Sequence, residues 1–291
     1  MLRLVLPKGS LEKSTFDLFS AADLSIVRSS EVDYRATIKD PRITDVRILR
    51  PQEIPTYLED GLFDLGITGR DWVEETESNL VSIGQLHYSK ATTNPIRVVL
   101  AVSERSGITS VSDLKDGVRV STEYPTLTKK YFEKNGIKAN VFLSYGATEA
   151  KIPDIADAVV EITETGRAIR AAGLRIIDTI LTSHTELLAN PEAANDPEKL
   201  HAMKQIFTLL SGTLTARGKV LLKLNVSADD LEKVIALIPA MKAPTVSELH
   251  GHAGYAVETV VAREGINTLI PELKDAGATG ILELPLSKII E

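Results

Sequence analysis

The chain has 291 residues, 25% of them charged, a formal net charge of −7 and no cysteine. That length supports two or three domains with cores of their own. The acidic balance argues against a general nucleic-acid surface, so any bound phosphate must meet a local positive field. Disulfides and thiolate chemistry are excluded. No apolar run is long enough to span a membrane, and the chain starts directly with a predicted strand rather than a leader, so a cytoplasmic enzyme or sensor is expected. Of the five histidines (His87, His184, His201, His250, His252), only His250 and His252 have a metal-like spacing, and that pair reads as a polar loop. No protein ligand to a metal is assigned.

Residues 2–6 read as a strand and 7–10 as a turn. A helix follows to about Ala22, with Leu11, Leu18, Phe19 and Ala22 on one face. Lys8 and Gly9 sit where strand meets helix, so an anion can bind there; as a plain alternative, Lys8 is a solvated turn residue. Residues 26–50 read as β-structure with polar turns. A helix opens at 51–55 and runs towards Gly61, and 63–68 form the next strand. Small residues at its end, Thr68 and Gly69, let a ligand or another backbone approach closely. Trp72 fits a core-capping position better than a base-stacking one. A second unit starts near Asn94, with strands over 96–102 and 118–122, a turn at 123–126 and a helix over 127–135 closed by Gly136. Two segments recur. Residues 2–11 lie over 118–127, so that Phe16 falls on Phe132, and 63–68 resemble 156–161. Two similar α/β lobes follow, on the bilobed plan of periplasmic binding proteins, where ligands sit at strand C-termini and helix N-termini.

Residues 155–173 organise the rest. A buried strand over 155–162 contains Glu161; Thr163, Glu164, Thr165 and Gly166 form a turn; a helix over 167–172 stops at Gly173. A strand that turns sharply into a helix leaves unpaired N–H groups at the helix start, and these suit a phosphate. Gly166 lets the backbone come close, Thr163 and Thr165 add hydroxyls, and Glu161 and Glu164 can accept hydrogen bonds from ribose. A sugar phosphate fits this set; an ordinary strand–turn–helix with a capping threonine is the alternative. Residues 174–181 read as a strand returning the chain to the first lobe, 190–197 as a polar connector, and 197 to about 210 as a long helix with Leu200, Met203, Phe207 and Leu210 on one face. From Lys219 the order is strand, helix, strand, strand, helix, strand, the ferredoxin-like βαββαβ plan. The fold class is therefore α/β: a bilobed periplasmic-binding-protein-like unit (lobe I, 1–93 with 182–211; lobe II, 94–181) plus a C-terminal ferredoxin-like domain over 212–291, of the size and type of a ligand-sensing or assembly domain.

Taken together, these motifs resemble a known family. They are Leu6-Pro7-Lys8-Gly9-Ser10-Leu11, Asp64-Leu65-Gly66-Ile67-Thr68-Gly69, Ser121-Thr122-Glu123-Tyr124-Pro125, Gly146-Ala147-Thr148-Glu149 and, above all, Ala156-Asp157-Ala158-Val159-Val160-Glu161 with Thr165-Gly166. Ala243-Pro244-Thr245-Val246 and the run from Gly277 to Leu282 fit as well. The family is ATP phosphoribosyltransferase of the long form, the first enzyme of histidine biosynthesis, and the resemblance covers essentially the whole chain.

The resemblance implies transfer of a phosphoribosyl group from PRPP to N1 of ATP, release of pyrophosphate, and Mg2+ as cofactor. It implies feedback inhibition by histidine at the C-terminal domain, a homo-oligomer of dimers assembling into hexamers, and no separate regulatory subunit. Carried onto this chain, PRPP falls to Glu161, Thr163, Glu164, Thr165, Gly166, Arg167 and Ala168, and ATP to Lys8, Gly9, Ser10, Thr68, Gly69 and Tyr124. Catalytic roles fall to Glu161, Glu149 and Lys8, with Tyr124 bordering the adenine and Glu149 facing its amino group. Histidine falls to Asn225, Thr245, Thr279 and Gly280. Two positions depart from the family pattern: Ser10 stands where many members have Arg, and Ala168 where many have Thr, each removing one contact. A solute-binding protein on the same fold and a phosphoribosyltransferase for another base are the competing readings.

Overall fold

The computed structural model describes residues 1–89, 94–239, 241 and 243–290. The chain forms two compact units, Met1–Phe207 and Thr208–Glu291. The first unit opens with β1 (Leu2–Pro7), α1 (Glu12–Ala21), β2 (Ile26–Val27), β3 (Arg35–Ile38), β4 (Ile43–Leu49), α2 (Ile54–Glu59), β5 (Leu65–Gly69), α3 (Arg70–Thr76) and β6 (Val81–Leu86). There follow β7 (Ile96–Ser103), β8 (Arg119–Thr122), α4 (Pro125–Lys134), β9 (Asn140–Leu143), β10 (Ala158–Thr163), α5 (Arg167–Ala171), β11 (Leu174–Ser183), β12 (Thr185–Ala189), α6 (Pro191–Asn195) and the start of α7 (Pro197–Ala216). These strands build a seven-stranded sheet, β2-β3-β4-β1-β5-β12-β6, and a five-stranded sheet, β11-β7-β10-β8-β9. The chain crosses from the first sheet to the second after β6 and returns between β11 and β12.

The central strands β1 and β5 are apolar and almost wholly buried, as parallel strands covered on both faces must be. Their register is held by an ion pair that recurs in the other sheet. Asp64, one residue before β5, accepts the backbone N–H of Arg3 at 2.8 Å and its guanidinium at 3.0 and 3.1 Å, and returns its own N–H to the Arg3 carbonyl at 2.9 Å. Asp157, one residue before β10, does the same to Arg119 at 2.9, 2.7 and 3.2 Å, again returning its N–H at 2.9 Å. The two sequence repeats, 2–11 over 118–127 and 63–68 over 156–161, bring these arginines and aspartates into equivalence. The repeat is therefore a shared hydrogen-bond device as well as a shared pattern of elements.

Several expectations are corrected. The segment after Asn190 is not a connector: Asn190 caps α6 by accepting the Ala193 N–H at 2.8 Å, with Pro191 at the first helical position. The helix expected from Leu127 starts at Pro125 for the same reason. The return strand belongs to the five-stranded sheet, where β11 pairs antiparallel with β7; the short β12, not foreseen, joins the first sheet between β5 and β6. The strands β6 and β9 were also missed. Both are edge strands with exposed or half-exposed side chains, which weakens an apolar signal. The compact second unit begins at Thr208, inside α7, and the expected lobe boundary at residue 93 lies outside the described residues.

The second unit holds β13 (Lys219–Val226), α8 (Leu231–Leu237), β14 (Thr245–Glu248), β15 (Tyr255–Ala262), α9 (Ile266–Asp275) and β16 (Thr279–Pro285). Its antiparallel sheet, β14-β15-β13-β16, has the ferredoxin-like order. Val220, Leu222, Leu224 and Val226 alternate inward from β13 against Val234, Ile266, Leu269 and Leu273 of the two helices.

Asp64 is 2% exposed. Burial alone would raise its pKa, but the bonds from Arg3 and Lys199 pull it down to about 2. Because the folded pKa is depressed, its contribution is complete above the unfolded value of about 3.9 and is lost as pH falls through about 2. Asp64→Asn should lower stability at neutral pH by about 2 kcal/mol and flatten that acid loss, as read from urea midpoints of the first unit at several pH values. Asp157→Asn should cost less, because its side chain is 43% exposed.

Candidate active site

Turns and loops follow the C-terminal ends of the parallel strands in the two sheets. The densest is the one after β10. Gly166 adopts φ 74°, and a Cβ there would lie 2.7 Å from Arg170 Nη1. Its N–H is donated to Thr163 Oγ1 at 2.7 Å, and the Arg170 guanidinium donates to the Thr165 carbonyl at 2.9 Å. The Gly166 N–H is thus engaged in folding the turn and is not a free phosphate donor. The Thr163 hydroxyl keeps its own hydrogen to give. Thr165, Arg167 and Ala168 stand exposed on the outer side of the turn, while Glu164 is half-buried.

Three carboxylates gather beside this turn. Glu161, on β10, accepts the Ile162 N–H at 3.0 Å. Burial pushes its carboxyl above the ordinary glutamate value. The Ile162 N–H and the Thr148 hydroxyl oppose the shift, and the neighbouring Glu123 and Glu149 add to it. Glu149 is presented by a short hydrogen-bonded loop: Ala147 lies in the left-handed region at φ 47°, the buried Thr148 hydroxyl shares a hydrogen bond with Ser144 Oγ at 2.8 Å, and Lys151 donates to that same Ser144 oxygen at 2.5 Å. Glu123, at the end of β8, was assigned no role from the sequence. Its place one residue after a parallel strand was the available signal.

On the seven-stranded sheet, Lys8 follows β1 and Arg50 follows β4. These strands are parallel neighbours, with the Lys8 N–H on the Leu49 carbonyl at 2.7 Å, so both cations stand on one rim. Arg50 was also missed by the sequence reading. Lys8 Nζ lies 3.9 Å above the ring of Tyr34, a half-exposed aromatic that no pattern singled out. Gly9 takes φ 89°, its N–H donates to Glu12 at 3.2 Å, and Ser10 is exposed.

The other three residues assigned to ATP are placed differently. The Thr68 hydroxyl is fully buried and donates to the Pro51 carbonyl at 2.9 Å. A Cβ on Gly69 would lie 2.1 Å from Asp71 Oδ1, so its small size serves a fold-back of that aspartate. Tyr124 is 1% exposed; its ring stacks on Trp72 at 4.4 Å and its hydroxyl donates to Asp71 at 2.8 Å. In this conformation Thr68 and Tyr124 present no free surface to a base: Thr68 is buried against Pro51 and Tyr124 against Trp72 and Asp71. The core-capping reading of Trp72 agrees with that stack.

Among the described residues, no group of three or more histidine, aspartate or glutamate side chains is arranged to hold a metal. The carboxylates beside β10 therefore do not form a ready cage for Mg2+. His250 and His252 lie in an exposed turn where His252 contacts Glu248. A groove of about 1160 Å³ opens at the other end of the five-stranded sheet, lined by residues such as Ser103, Asp113, Pro153 and Gly173 and by none of the expected site residues. Among the described residues no helix is long and apolar enough to cross a membrane.

In the second unit, Asn225 faces Thr279 across β13 and β16. The Thr279 hydroxyl reaches the Asn225 carbonyl at 3.4 Å, and Gly280 leaves room for the Asn225 amide, 3.3 Å from where a Cβ would stand. Thr245 is not brought to them. It pairs with Glu258, which pairs with Lys223, so β15 and the Lys223–Glu258 ion pair lie between.

The model of the ATP phosphoribosyltransferase family matches residues 50–212, and that of the HisG C-terminal domain matches 216–288. The chain is 46% identical to the ATP phosphoribosyltransferase of Pelotomaculum thermopropionicum over 99% of both chains, and 46% identical to that of Solibacter usitatus over 100% of this chain and 99% of the other. A solved chain from the ATP phosphoribosyl transferase (HisG:HisZ) complex of Thermotoga maritima superimposes with a TM-score of 0.62 at 27% identity, covering 72% of this chain and 98% of that one. With two family models in tandem and full-length relatives at this identity, the chain belongs to the ATP phosphoribosyltransferase family and carries out the first step of histidine biosynthesis, the transfer of phosphoribosyl from PRPP to N1 of ATP.

Proposed function

We propose that the turn after β10 and the carboxylates beside it hold PRPP, and that the Lys8–Arg50 rim of the other sheet meets the nucleotide phosphates. The observation that carries this reading is the gathering of Glu123, Glu149 and Glu161 next to a Thr-Gly turn. Thr163, Thr165, Arg167 and the surrounding backbone take the 5′-phosphate. Glu161, with Glu164, accepts the ribose hydroxyls. N1 of adenine already has a lone pair, so no strong base is required. Pyrophosphate leaves C1 as N1 attacks, and positive charge grows on the ribose ring. Nearby carboxylates stabilise that charge, and catalysis consists mainly of positioning and electrostatics. Glu149 accepts from the adenine amino group. Lys8, Gly9 and Ser10 contact the nucleotide from the first sheet. Ala168 gives no hydroxyl, so the phosphate relies more heavily on Thr163 and Thr165.

Mg2+, implied by the family, would neutralise the departing pyrophosphate; among the described residues no protein cage for it is preformed. The lobes are assigned as 1–93 with 182–211 and 94–181, with 212–291 as the regulatory domain. Histidine is assigned to the Asn225, Thr279 and Gly280 corner, with Thr245 as a more remote contributor. We also assign a cytoplasmic homo-oligomer, dimer to hexamer, that needs no separate regulatory subunit.

Pyrophosphate release from PRPP, measured with and without ATP, Mg2+ and histidine, tests the whole. ATP-dependent release that stops on chelation and is suppressed by histidine is the expected result; release indifferent to histidine would leave the second unit to assembly alone. Glu161→Gln should lower kcat/KM about ten-fold or more, the loss of a charge-assisted hydrogen bond. It should also abolish an acid limb in the pH profile that lies above the ordinary glutamate value of about 4.3, since the accepting form is the carboxylate and is lost as pH falls through its raised pKa. Unchanged kinetics would remove Glu161 from the site. Asn225→Ala should weaken inhibition by histidine while leaving uninhibited turnover intact, with a larger effect than Thr245→Ala.

A further inference from the structure

The two sheets of the first unit meet at a carboxylate that, among the described residues, has no cation. Asp71, at the start of α3, is 2% exposed. Its Oδ1 accepts from Ser183 Oγ at 2.6 Å, its Oδ2 accepts from the Tyr124 hydroxyl at 2.8 Å, and its own N–H donates back to Ser183 Oγ at 3.0 Å. Ser183 ends β11, where the chain leaves the five-stranded sheet, and Tyr124 lies between β8 and α4 of that sheet. Among the described residues no lysine or arginine pairs with Asp71. Burial raises its pKa, and the Ser183 and Tyr124 hydroxyls act against the rise.

A second contact runs in parallel. Glu75 of α3 accepts the N–H groups of Thr126 and Leu127, both at 2.9 Å, and so caps α4 from the other sheet. If cohesion alone were needed, apolar side chains of the same size would supply it without burying a charge. What a carboxylate adds is direction: each oxygen accepts one hydroxyl along a fixed line, which sets the orientation of the Tyr124 turn. That turn carries Glu123. Glu123 and Glu161 both act electrostatically on the Tyr124 hydroxyl, and Glu123 acts on Glu161.

We propose that Asp71 is a positioning residue for phosphoribosyl transfer, fixing the Glu123–Tyr124 turn, and with it the carboxylates beside β10, to the first sheet through the Tyr124 hydroxyl. The kinetic consequence rests on the placement of PRPP given above; the geometric one does not. Tyr124 is then a link between sheets, in place of the adenine contact expected from the family.

The absence of cysteine allows a direct test. Lys39 and Lys134 are exposed and lie on the first and second sheets' sides of the junction. In the full chain, Lys39→Cys with Lys134→Cys takes two spin labels, and their distance distribution is measured with and without Tyr124→Phe, which keeps the ring on Trp72. Removal of the hydroxyl should broaden the distribution. In the unlabelled enzyme it should lower kcat about ten-fold with smaller changes in KM, and Asp71→Asn with Tyr124→Phe should be no worse than the poorer single variant, since the two act as one unit. Ser183→Ala replaces Asp71→Asn in the cycle should the latter fail to fold. An unchanged distribution, losses that multiply, or broadening with wild-type kcat would each overturn the inference. Failure of the carboxylate assignment itself is read separately, from Glu161→Gln.

Discussion

In each sheet of the first unit, an aspartate standing one residue before a central strand takes the N–H and the guanidinium of an arginine on the adjacent parallel strand. Parallel pairs have no hairpin turn to set their register, and a slip of one residue would send every side chain to the opposite face. Arg3 with Asp64 sets β1 against β5, and Arg119 with Asp157 sets β8 against β10. With register set, the strand ends are level, and the turns after them collect on one rim of each sheet. Glu123 and Glu161 stand together for that reason; Lys8 and Arg50 do so through the parallel pairing of β1 with β4, which carries the Lys8 N–H to the Leu49 carbonyl.

Two buried acids of this unit, Asp64 and Asp71, and the half-buried Glu161 behave in three ways, and the difference lies in what faces them. Asp64 has Arg3 and Lys199 and is held strongly ionised. Asp71 has hydroxyl and amide donors but, among the described residues, no cation, so burial prevails and its pKa rises. Glu161 has other carboxylates near it, which raises its pKa further. The first supports the fold, the second links the sheets, and the third is the one we propose for the ribose. On that proposal an acidic protein handles two polyanionic substrates by turning its acids to hydroxyls and the ribose ring, with Lys8, Arg50 and Arg167 left to the phosphates.

The outline of the fold was legible in the chain. Long apolar strands, the helix stop at Gly136 and the βαββαβ order of the last 80 or so residues are local patterns, and elements of that kind declare themselves. The elements that escaped were short or lay at a sheet edge, where neighbouring strands rather than composition define them: β6, β9, β12 and the five-residue α6. At the site, the acid-Thr-Gly turn was legible because its chemistry sits in one contiguous run. For Thr68 and Tyr124 a motif gave residue type and order but not which way the side chain turns; here Thr68 turns to Pro51, and Tyr124 to Asp71 and Trp72.

The sequence by itself determined the longer elements, the internal repeat, the family and hence the reaction, since each of these resides in patterns along the chain. The tertiary structure alone decided which acids share a site, that Arg50 stands beside Lys8, and that Asp71 meets Tyr124 and Ser183 across 53 and 112 residues of chain. Such contacts depend on strand order and register, and no local pattern of residues encodes a distance between segments that far apart.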